Sequence, residues 1–223
     1  MSNQSLEPED RRRLEKLSTS NLSDALDALG LRGAVIGIRP LFGMPKVIGP
    51  AVTIKLTAAG ITKPKRHLGV DAISGAAPGD VIAIDNRGDL HNNCWGDIAA
   101  CAAKQKGISG VIIDGASRDV DACQEMDFPV FARGVVPITA RGRIVQEDFN
   151  CLIRLGDVQV RPGDILVADA NGVVVIPREN LADVMLSAEA IFAKEEAIKA
   201  DLLAGMDYVA VDRKYNYERM LKE

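Results

Sequence analysis

Apolar residues recur at helical spacing over Glu7–Leu29, in two stretches broken near Ser18–Ser20. Ser or Thr at that break, ahead of Leu22, Ala25, Leu26 and Leu29, has the form of an N-cap leading into an apolar stripe, and Gly30 is the stop. The pattern predicts a helical hairpin that packs on a sheet. Gly33–Pro50 is dense in glycine and proline and predicts an irregular connection. Ala51–Thr57 (AVTIKLT) then alternates as a half-buried strand does, and Leu68–Ala76 predicts a short helix.

Two phrases echo one another: Pro78-Gly79-Asp80-Val-Ile-Ala-Ile-Asp85 and Pro162-Gly163-Asp164-Ile-Leu-Val-Ala-Asp169. Each predicts a buried strand entered by a tight turn, and either an internal duplication or a common way of opening a strand explains the echo. Between them, Asn86–Trp95 predicts a polar loop. Asp97–Lys106 predicts a short alanine-rich helix with Ile98, Ala99, Ala102 and Ala103 as its apolar face, ended by Gly107. Gly110–Ile113 reads as buried strand, Val120–Met126 as helix and Val130–Ala132 as strand, a βαβ rhythm that favours parallel pairing. Further strand, partly at an edge, is expected over Arg141–Arg161. Asn171-Gly172 predicts the turn of a hairpin closed by Pro177. Arg178–Leu203 carries the longest helical stripe, Leu181, Val184, Met185, Ala188, Ile191 and Ile198, with Gly205 beyond its end. The fold class is therefore α/β, with an N-terminal helical hairpin and a long C-terminal helix.

With 223 residues, 47% of them apolar, the chain can bury a good core, and residues 1–205 are expected to form one domain. Residues 206–223 read as a tail whose Tyr208, Tyr215, Tyr217 and Met220 would be exposed in a monomer, so a subunit contact is expected there. Net charge is −4, and the basic residues are scattered without aromatic partners, which argues against nucleic acid as a partner. The short Lys63, Lys65, Arg66 cluster is explained by a solvated loop. The four cysteines (Cys94, Cys101, Cys123, Cys151) show no CxxC, and reduced thiols are expected. The opening MSNQSLEPEDRRR has no apolar signal region, and no stretch approaches the roughly 20 apolar residues that span a bilayer, so a cytoplasmic protein is expected.

Candidate chemistry concentrates in Cys94–Asp119. Asp97 stands at a helix start, either as a plain cap or as an acid at the mouth of a site. Gly96 permits close backbone approach, and the amides of Asp97, Ile98, Ala99 and Ala100 form a cradle for an anion. Arg118 and Asp119 follow a Gly-Ala-Ser turn at the carboxyl end of a buried strand, where open α/β sheets place ligands. Arg118 offers a bidentate fork and Asp119 a hard oxygen for Mg²⁺ or Mn²⁺; a surface pair in which Asp119 caps the next helix is the plainer alternative. His67 and His91 are the only imidazoles; His91 is expected as a solvated loop residue that could also line the pocket. No cysteine has a credible base beside it, and no nucleotide-binding glycine loop occurs.

Trp95-Gly96-Asp97-Ile98-Ala99, Gly110–Gly115, Arg118-Asp119-Val120, Pro129–Gly134 and Asp169–Pro177 together resemble the RraA-like family, over about Leu17–Gly205. That family includes 4-hydroxy-4-methyl-2-oxoglutarate aldolases and the regulator of ribonuclease E activity A. The resemblance implies a swivelling β/β/α-type sandwich assembled as a homotrimer or hexamer, with the active site between subunits. It implies a class II aldolase that cleaves a 4-hydroxy-2-oxo acid to pyruvate and a second oxo acid and that also decarboxylates oxaloacetate. Asp97 would act through metal-bound water, the amides after it would hold the pyruvate carboxylate, Arg118 would bind the enolate oxygen, and Asp119 would bind Mg²⁺ or Mn²⁺. A further acid from a neighbouring subunit's C-terminal helix resembles Glu195 or Glu196. A regulator that binds a ribonuclease, and a lyase or hydratase acting on another hydroxy acid, are the alternatives; the long acidic C-terminal helix favours an enzyme. The substrate's distal group is expected to meet Asn86–Cys94 or the tail.

Overall fold

Strand β3 (Val47–Ala58) joins the two halves of the molecule, and each half takes a different stretch of it. In this computed structural model, which describes residues 5–61 and 66–216, its first residues pair antiparallel with β10 (Ile165–Asp169), and its second half pairs in parallel with β4 (Val81–Asn93). Parallel pairing continues to β5 (Gly110–Ser117) and β6 (Val130–Val135). On the other side β10 forms a hairpin with β11 (Gly172–Ile176), turned at Asn171-Gly172, and β11 holds the two-residue β1 (Ala34–Val35). The short β2 (Arg39–Pro40) edges β6, β7 (Ile144–Phe149) runs antiparallel to β3, and β8 (Ile153–Leu155) and β9 (Val158–Val160) make a separate hairpin.

The two halves face one another across a shared apolar layer, in which Val47, Ala51, Ala83, Ile112 and Phe131 meet Leu166, Ala168, Val173 and Val175. Helices cover the outer faces. Helices α1 (Pro8–Lys16), α2 (Thr19–Ala28) and α6 (Leu181–Leu203, entered by a 3-10 turn at Arg178–Asn180) pack on the antiparallel half. The short α3 (Val70–Gly75), α4 (Asp97–Gln105) and α5 (Val120–Glu125) cover the parallel half. This β/β/α sandwich with its N-terminal hairpin and long C-terminal helix is the expected class. The stripe expected on the last helix is buried at all six positions, because a 23-residue helix lying on a sheet has one face to bury.

Several expectations need correction. β3 is buried without alternation from Val47 to Ile54, since it lies between layers on both faces, and it begins before the predicted start at Ala51. The polar stretch Asn86–Asn93 is not a loop: it prolongs β4 along β5 through two register shifts, with Arg87 and Gly88 at positive φ. Gly115-Ala116-Ser117 is likewise strand, so Arg118 follows β5 directly. On α4 the buried residues are Ala100 and Ala103, while Ile98 is 75% exposed; in a helix this rich in alanine, side-chain size does not mark the inner face. The tail, which carried no legible pattern, forms α7 (Tyr208–Tyr215), capped by Asp207 and tied to α6 through Asp201. Tyr208 and Val209 on it are exposed. Lys63, Lys65, Tyr217 and Met220 lie outside the described residues. The paired Pro-Gly-Asp phrases adopt one turn: Gly79 and Gly163 both have φ 88°, and each Asp accepts a bond from the amide three residues earlier.

The helical hairpin is fastened to the sheet at one polar point. Ser18 and Asn21 form a reciprocal capping box at the start of α2, and Asp169, at the end of β10, accepts from the Thr19 amide (2.8 Å) and hydroxyl (2.7 Å). Burial pushes the Asp169 carboxyl up, but the Thr19 bonds, the Asn171 amide and the Lys46 charge outweigh it and hold the group below the ordinary carboxylate value. Asp169→Ala is expected to cost about 1–2 kcal/mol at pH 7, read by urea unfolding. Because the folded-state value is depressed, the gap between variant and parent should be full above about pH 4 and close as pH falls through the lowered value; a gap independent of pH would contradict this role.

Candidate active site

The carboxyl ends of β4 and β5 are sewn together beside the start of α4. The Cys94 amide donates to the Ala116 carbonyl (3.1 Å), and the Trp95 carbonyl then accepts from the Arg118 amide (3.1 Å), the Ser117 hydroxyl (3.1 Å) and the Asn93 side-chain amide (3.3 Å). Gly96 is thereby set against the Arg118-Asp119 corner. A Cβ built on Gly96 would lie 2.5 Å from Asp119 Oδ2 and 3.5 Å from Arg118 Nε, so only glycine allows the two corners to approach this closely.

Asp119 adopts φ 53°, a conformation uncommon outside glycine, and its carboxylate does not cap α5. Instead Oδ2 turns back to accept from Arg118 Nε (3.1 Å) and from the Asp97 amide (3.4 Å). The plain capping alternative for Asp119 is therefore not the arrangement present. Asp97 occupies the first helical position, with Gly96 as N-cap, and its Oδ1 accepts from the Ile98 amide at 2.7 Å. The two carboxylates and Asp121 act together on Cys123 beneath them: burial first, then the charges of Asp119, Asp97 and Asp121, push its thiol up to about 11. Cys94, fully buried, is raised further by burial and by Asp89 and Asp114, and neither thiol is suited to nucleophilic chemistry.

The expected amide cradle is largely engaged within the protein. The Asp97 and Ile98 amides meet carboxylate oxygens and the Ala100 amide donates to the Gly96 carbonyl (3.0 Å), which leaves the Ala99 amide without a partner among the described residues. An anion at this mouth would take Ala99 N–H directly and compete with Asp119 for Asp97 N–H.

The corner opens into a cleft with about 50 Å³ of free interior, walled by Asn93–Ala99 and Arg118 and roofed by His67-Leu68 and Thr139–Arg141. Asn93 Oδ1 and Trp95 Nε1, in two of the lining residues, are buried with no hydrogen-bond partner among the described residues, and the Asn86 amide is in the same position. Such groups cost stability unless something pairs with them, and they mark the stretch behind the helix mouth as polar by construction. Arg118 and Asp119 remain about a third exposed, accessible to a ligand. His91 is exposed and does not line the cleft, whereas His67 does.

Glu195 and Glu196 are not at the cleft within one chain. Glu195 accepts from Asn21 on α2 (2.9 Å) and lines a groove between α6 and α7; Glu196 pairs with Lys199 (2.8 Å) at the surface. Among the described residues no group of three or more His, Cys, Asp or Glu is arranged to hold a metal. The carboxylates that this mouth offers are Asp97 and Asp119. Residues that reading the chain missed are Asn93 and Ser117, which clasp the Trp95 carbonyl, and the roof Thr139–Arg141. No local pattern marks any of them, because their positions are set by strand register and a long-range loop. No helix among the described residues is long and apolar enough to cross a membrane.

The chain is similar to known proteins over most of its length. A sequence model of the RraA-like family, described as Aldolase/RraA, matches residues 19–175. The chain is 34% identical to Protein DlpA of Legionella pneumophila over 91% of its own length, and it spans about a third (33%) of that relative. It is 38% identical to a protein of Halalkalibacterium halodurans named "Putative 4-hydroxy-4-methyl-2-oxoglutarate aldolase", covering 81% of this chain and 82% of that one. Among solved structures it is similar to Streptomyces coelicolor RraAS2, described as an unusual member of the RNase ES inhibitor RraA protein family, with TM-score 0.77, 25% identity and coverage of 92% and 99%.

Gly96→Ala is expected to force the Asp119 carboxylate away from the Asp97 amide with little change in unfolding free energy, because the atom that must move is the end of a partly exposed side chain. A crystal structure of that variant with the carboxylate unmoved would contradict the close approach described here.

Proposed function

The chain belongs to the RraA-like family, and from that membership together with the site's geometry we propose that it is a divalent-metal-dependent lyase. Its reaction is cleavage of a 4-hydroxy-2-oxo acid to pyruvate and a second oxo acid, and it decarboxylates oxaloacetate through the same enolate. The observation that carries this reading is the apposition of Gly96 and Asp97 with Arg118 and Asp119, in which a guanidinium, two carboxylates and a helix mouth meet beside a cleft lined by Asp97 and Arg118.

Mg²⁺ and Mn²⁺ take hard oxygen ligands, keep several waters and need only one or two carboxylates, so the donor set fits them better than Zn²⁺, for which no imidazole or thiolate cluster is present among the described residues. Asp119 would hold the ion, with Asp97 nearby and a glutamate, Glu195 or Glu196, brought by the α6 of a second subunit. When bound, the ion supplies Lewis-acid stabilisation of negative charge on the 2-oxo group.

The chain's own residues do the rest. The substrate's 1-carboxylate is received at the helix mouth, where the Ala99 amide donates and the helix dipole favours an anion. Asp97, through a water, takes the proton of the 4-hydroxyl as the C3–C4 bond breaks, and the bonding pair passes into the C2–C3 enolate. Arg118 donates to the enolate oxygen, charge that is absent from the ground state and therefore lowers the barrier. A proton returned to C3 completes pyruvate. With oxaloacetate the same bond breaks, CO₂ leaves and the pair enters the same enolate.

The likeness to an RNase ES inhibitor family member keeps a regulatory role as the second reading, which assay separates. The purified protein is expected to release pyruvate with Mg²⁺ or Mn²⁺, to lose that activity in EDTA and to regain it on metal addition. Asp119→Ala should abolish turnover with the circular dichroism spectrum unchanged. Inhibition of an endoribonuclease without metal, and no pyruvate from any 4-hydroxy-2-oxo acid, would favour the regulator. Arg118→Lys is expected to lower kcat by about 10²–10³, because a point charge cannot reproduce the fork; near-parental turnover would remove the guanidinium from this role.

A further inference from the structure

Helix α7 is held by little. It has eight residues and buries one side chain, Val211; its polar ties run to Asp201 of α6, which accepts from Lys214 Nζ (2.6 Å) and the Tyr215 hydroxyl (2.8 Å). A helix this short does not persist in water by itself, so packing must hold it. Yet between α6 and α7 runs a groove with about 260 Å³ of free interior. Glu195, Ile198, Lys199 and Leu202 line it from α6, and Tyr208, Val211, Asp212 and Tyr215 line it from α7. Both sets fall at i, i+3, i+4 and i+7, so each helix turns a whole stripe toward the same groove. Tyr208 on that stripe is 68% exposed.

Two facing stripes make a seat for a third helical segment. The chain supplies one. Asn216 closes α7 in the left-handed conformation (φ 48°, ψ 53°), with its amide on the Asp212 carbonyl (2.8 Å), the geometry in which a helix stops and the chain leaves its axis. Residues 217–223, YERMLKE, follow at once, and Tyr217, Met220 and Leu221 stand at i, i+3 and i+4. That spacing gathers three apolar side chains on one helical face and leaves Glu218, Arg219 and Lys222 for the other. Seven helical residues are about 10 Å long, about the length of the α6 stripe from Glu195 to Leu202.

We propose that residues 217–223 dock in the α6–α7 groove of their own chain, with Tyr217, Met220 and Leu221 turned into it, so that the C-terminal end is a three-segment unit closed on itself. The chain's own tail, and not that of a second copy, is the occupant because it is tethered at Asn216, next to the groove-lining Tyr215. So short a tether sets an effective concentration on the order of millimolar without any oligomer. Charge fits as well: the Asp212 carboxylate has no ion-pair partner among the described residues, and the tail carries Arg219 and Lys222. Such a pair at a surface adds little energy and serves to orient the segment. Tyr217 and Met220, expected from the sequence at a subunit contact, thereby have a place within one chain.

The test uses the full chain. Met220→Asp with Leu221→Asp keeps the length of the tail and sets charge against the apolar lining. Hydrogen exchange read by mass spectrometry is expected to show the α7 amides exchanging about tenfold to a hundredfold faster in that variant, the loss of one apolar side chain's cover, with β4 and β5 unchanged. Unaltered α7 exchange would overturn the proposal. A second set of variants starts from Cys101→Ser with Cys151→Ser, which removes the accessible thiols, and combines Met220→Cys with either Ile198→Cys or Leu202→Cys. On oxidation at least one combination is expected to close a disulfide within the chain, because a docked tail brings the two Cβ atoms to about 4 Å. A disulfide between chains, seen as a reducible dimer on a denaturing gel, would give the groove to a second copy's tail. No disulfide from either combination would put the tail elsewhere, and either result overturns the proposal.

Discussion

One backbone carbonyl holds this site together. The Trp95 oxygen accepts from the Arg118 amide, the Ser117 hydroxyl and the Asn93 side chain, and so ties the exit of β4 to the exit of β5 immediately before the chain turns into α4. Parallel strands diverge into their crossover helices at this edge, and without such a clasp the helix mouth and the Arg118-Asp119 corner would be two separate loop features. With it, Gly96 lies against Asp119 so closely that a methyl group would not fit. The positive φ of Asp119 belongs to the same constraint: the residue leaves the helix-capping direction in order to aim its carboxylate at the mouth.

The surrounding fold explains why that clasp is stable. β4 and β5 are interior strands, apolar on both faces through Ile82, Ala83, Ile84, Val111, Ile112 and Ile113, with helices on one side and the second half of the sheet on the other. Their carboxyl ends are the first place at which polar groups can reach an opening, and there Asn86, Asn93 and Trp95 carry buried polar atoms that the protein does not pair among its described residues. A core this apolar keeps polar atoms unpaired at a measurable cost. The C-terminal helix does not line the cleft of its own chain: Glu195 lies with α2 and Glu196 pairs with Lys199 at the surface.

Much of this was legible in the chain. The Ser18 cap, the stripe from Leu181 to Ile198, the two Pro-Gly-Asp strand entries and the Asn171-Gly172 hairpin follow from local chemistry that tertiary contacts reinforce. What was illegible depends on pairing at a distance. Asn86–Asn93 reads as loop because it is polar, yet β5 offers it backbone partners and draws it into an irregular strand. The inner face of α4 could not be told among alanines, and α7 carries no strong stripe because much of its surface is exposed. In the site, Asp97, Arg118 and Asp119 stand out by residue type and by position at element ends. Asn93, Ser117 and Arg141 do not: Asn93 and Arg141 line the cleft and Ser117 is buried behind it, at places set by strand register or by a loop 20 or more residues away from the corner it covers.

The central claim is that the mouth of α4 and the Arg118-Asp119 corner together grip a divalent cation and a 2-oxo acid. A crystal soaked with Mg²⁺ and oxalate, a mimic of the pyruvate enolate, tests it most directly. The expected density is an ion on Asp119 with oxalate between Arg118 and the Ala99 amide. An ion and oxalate bound elsewhere, with this cleft unchanged under saturating concentrations of both, would contradict it.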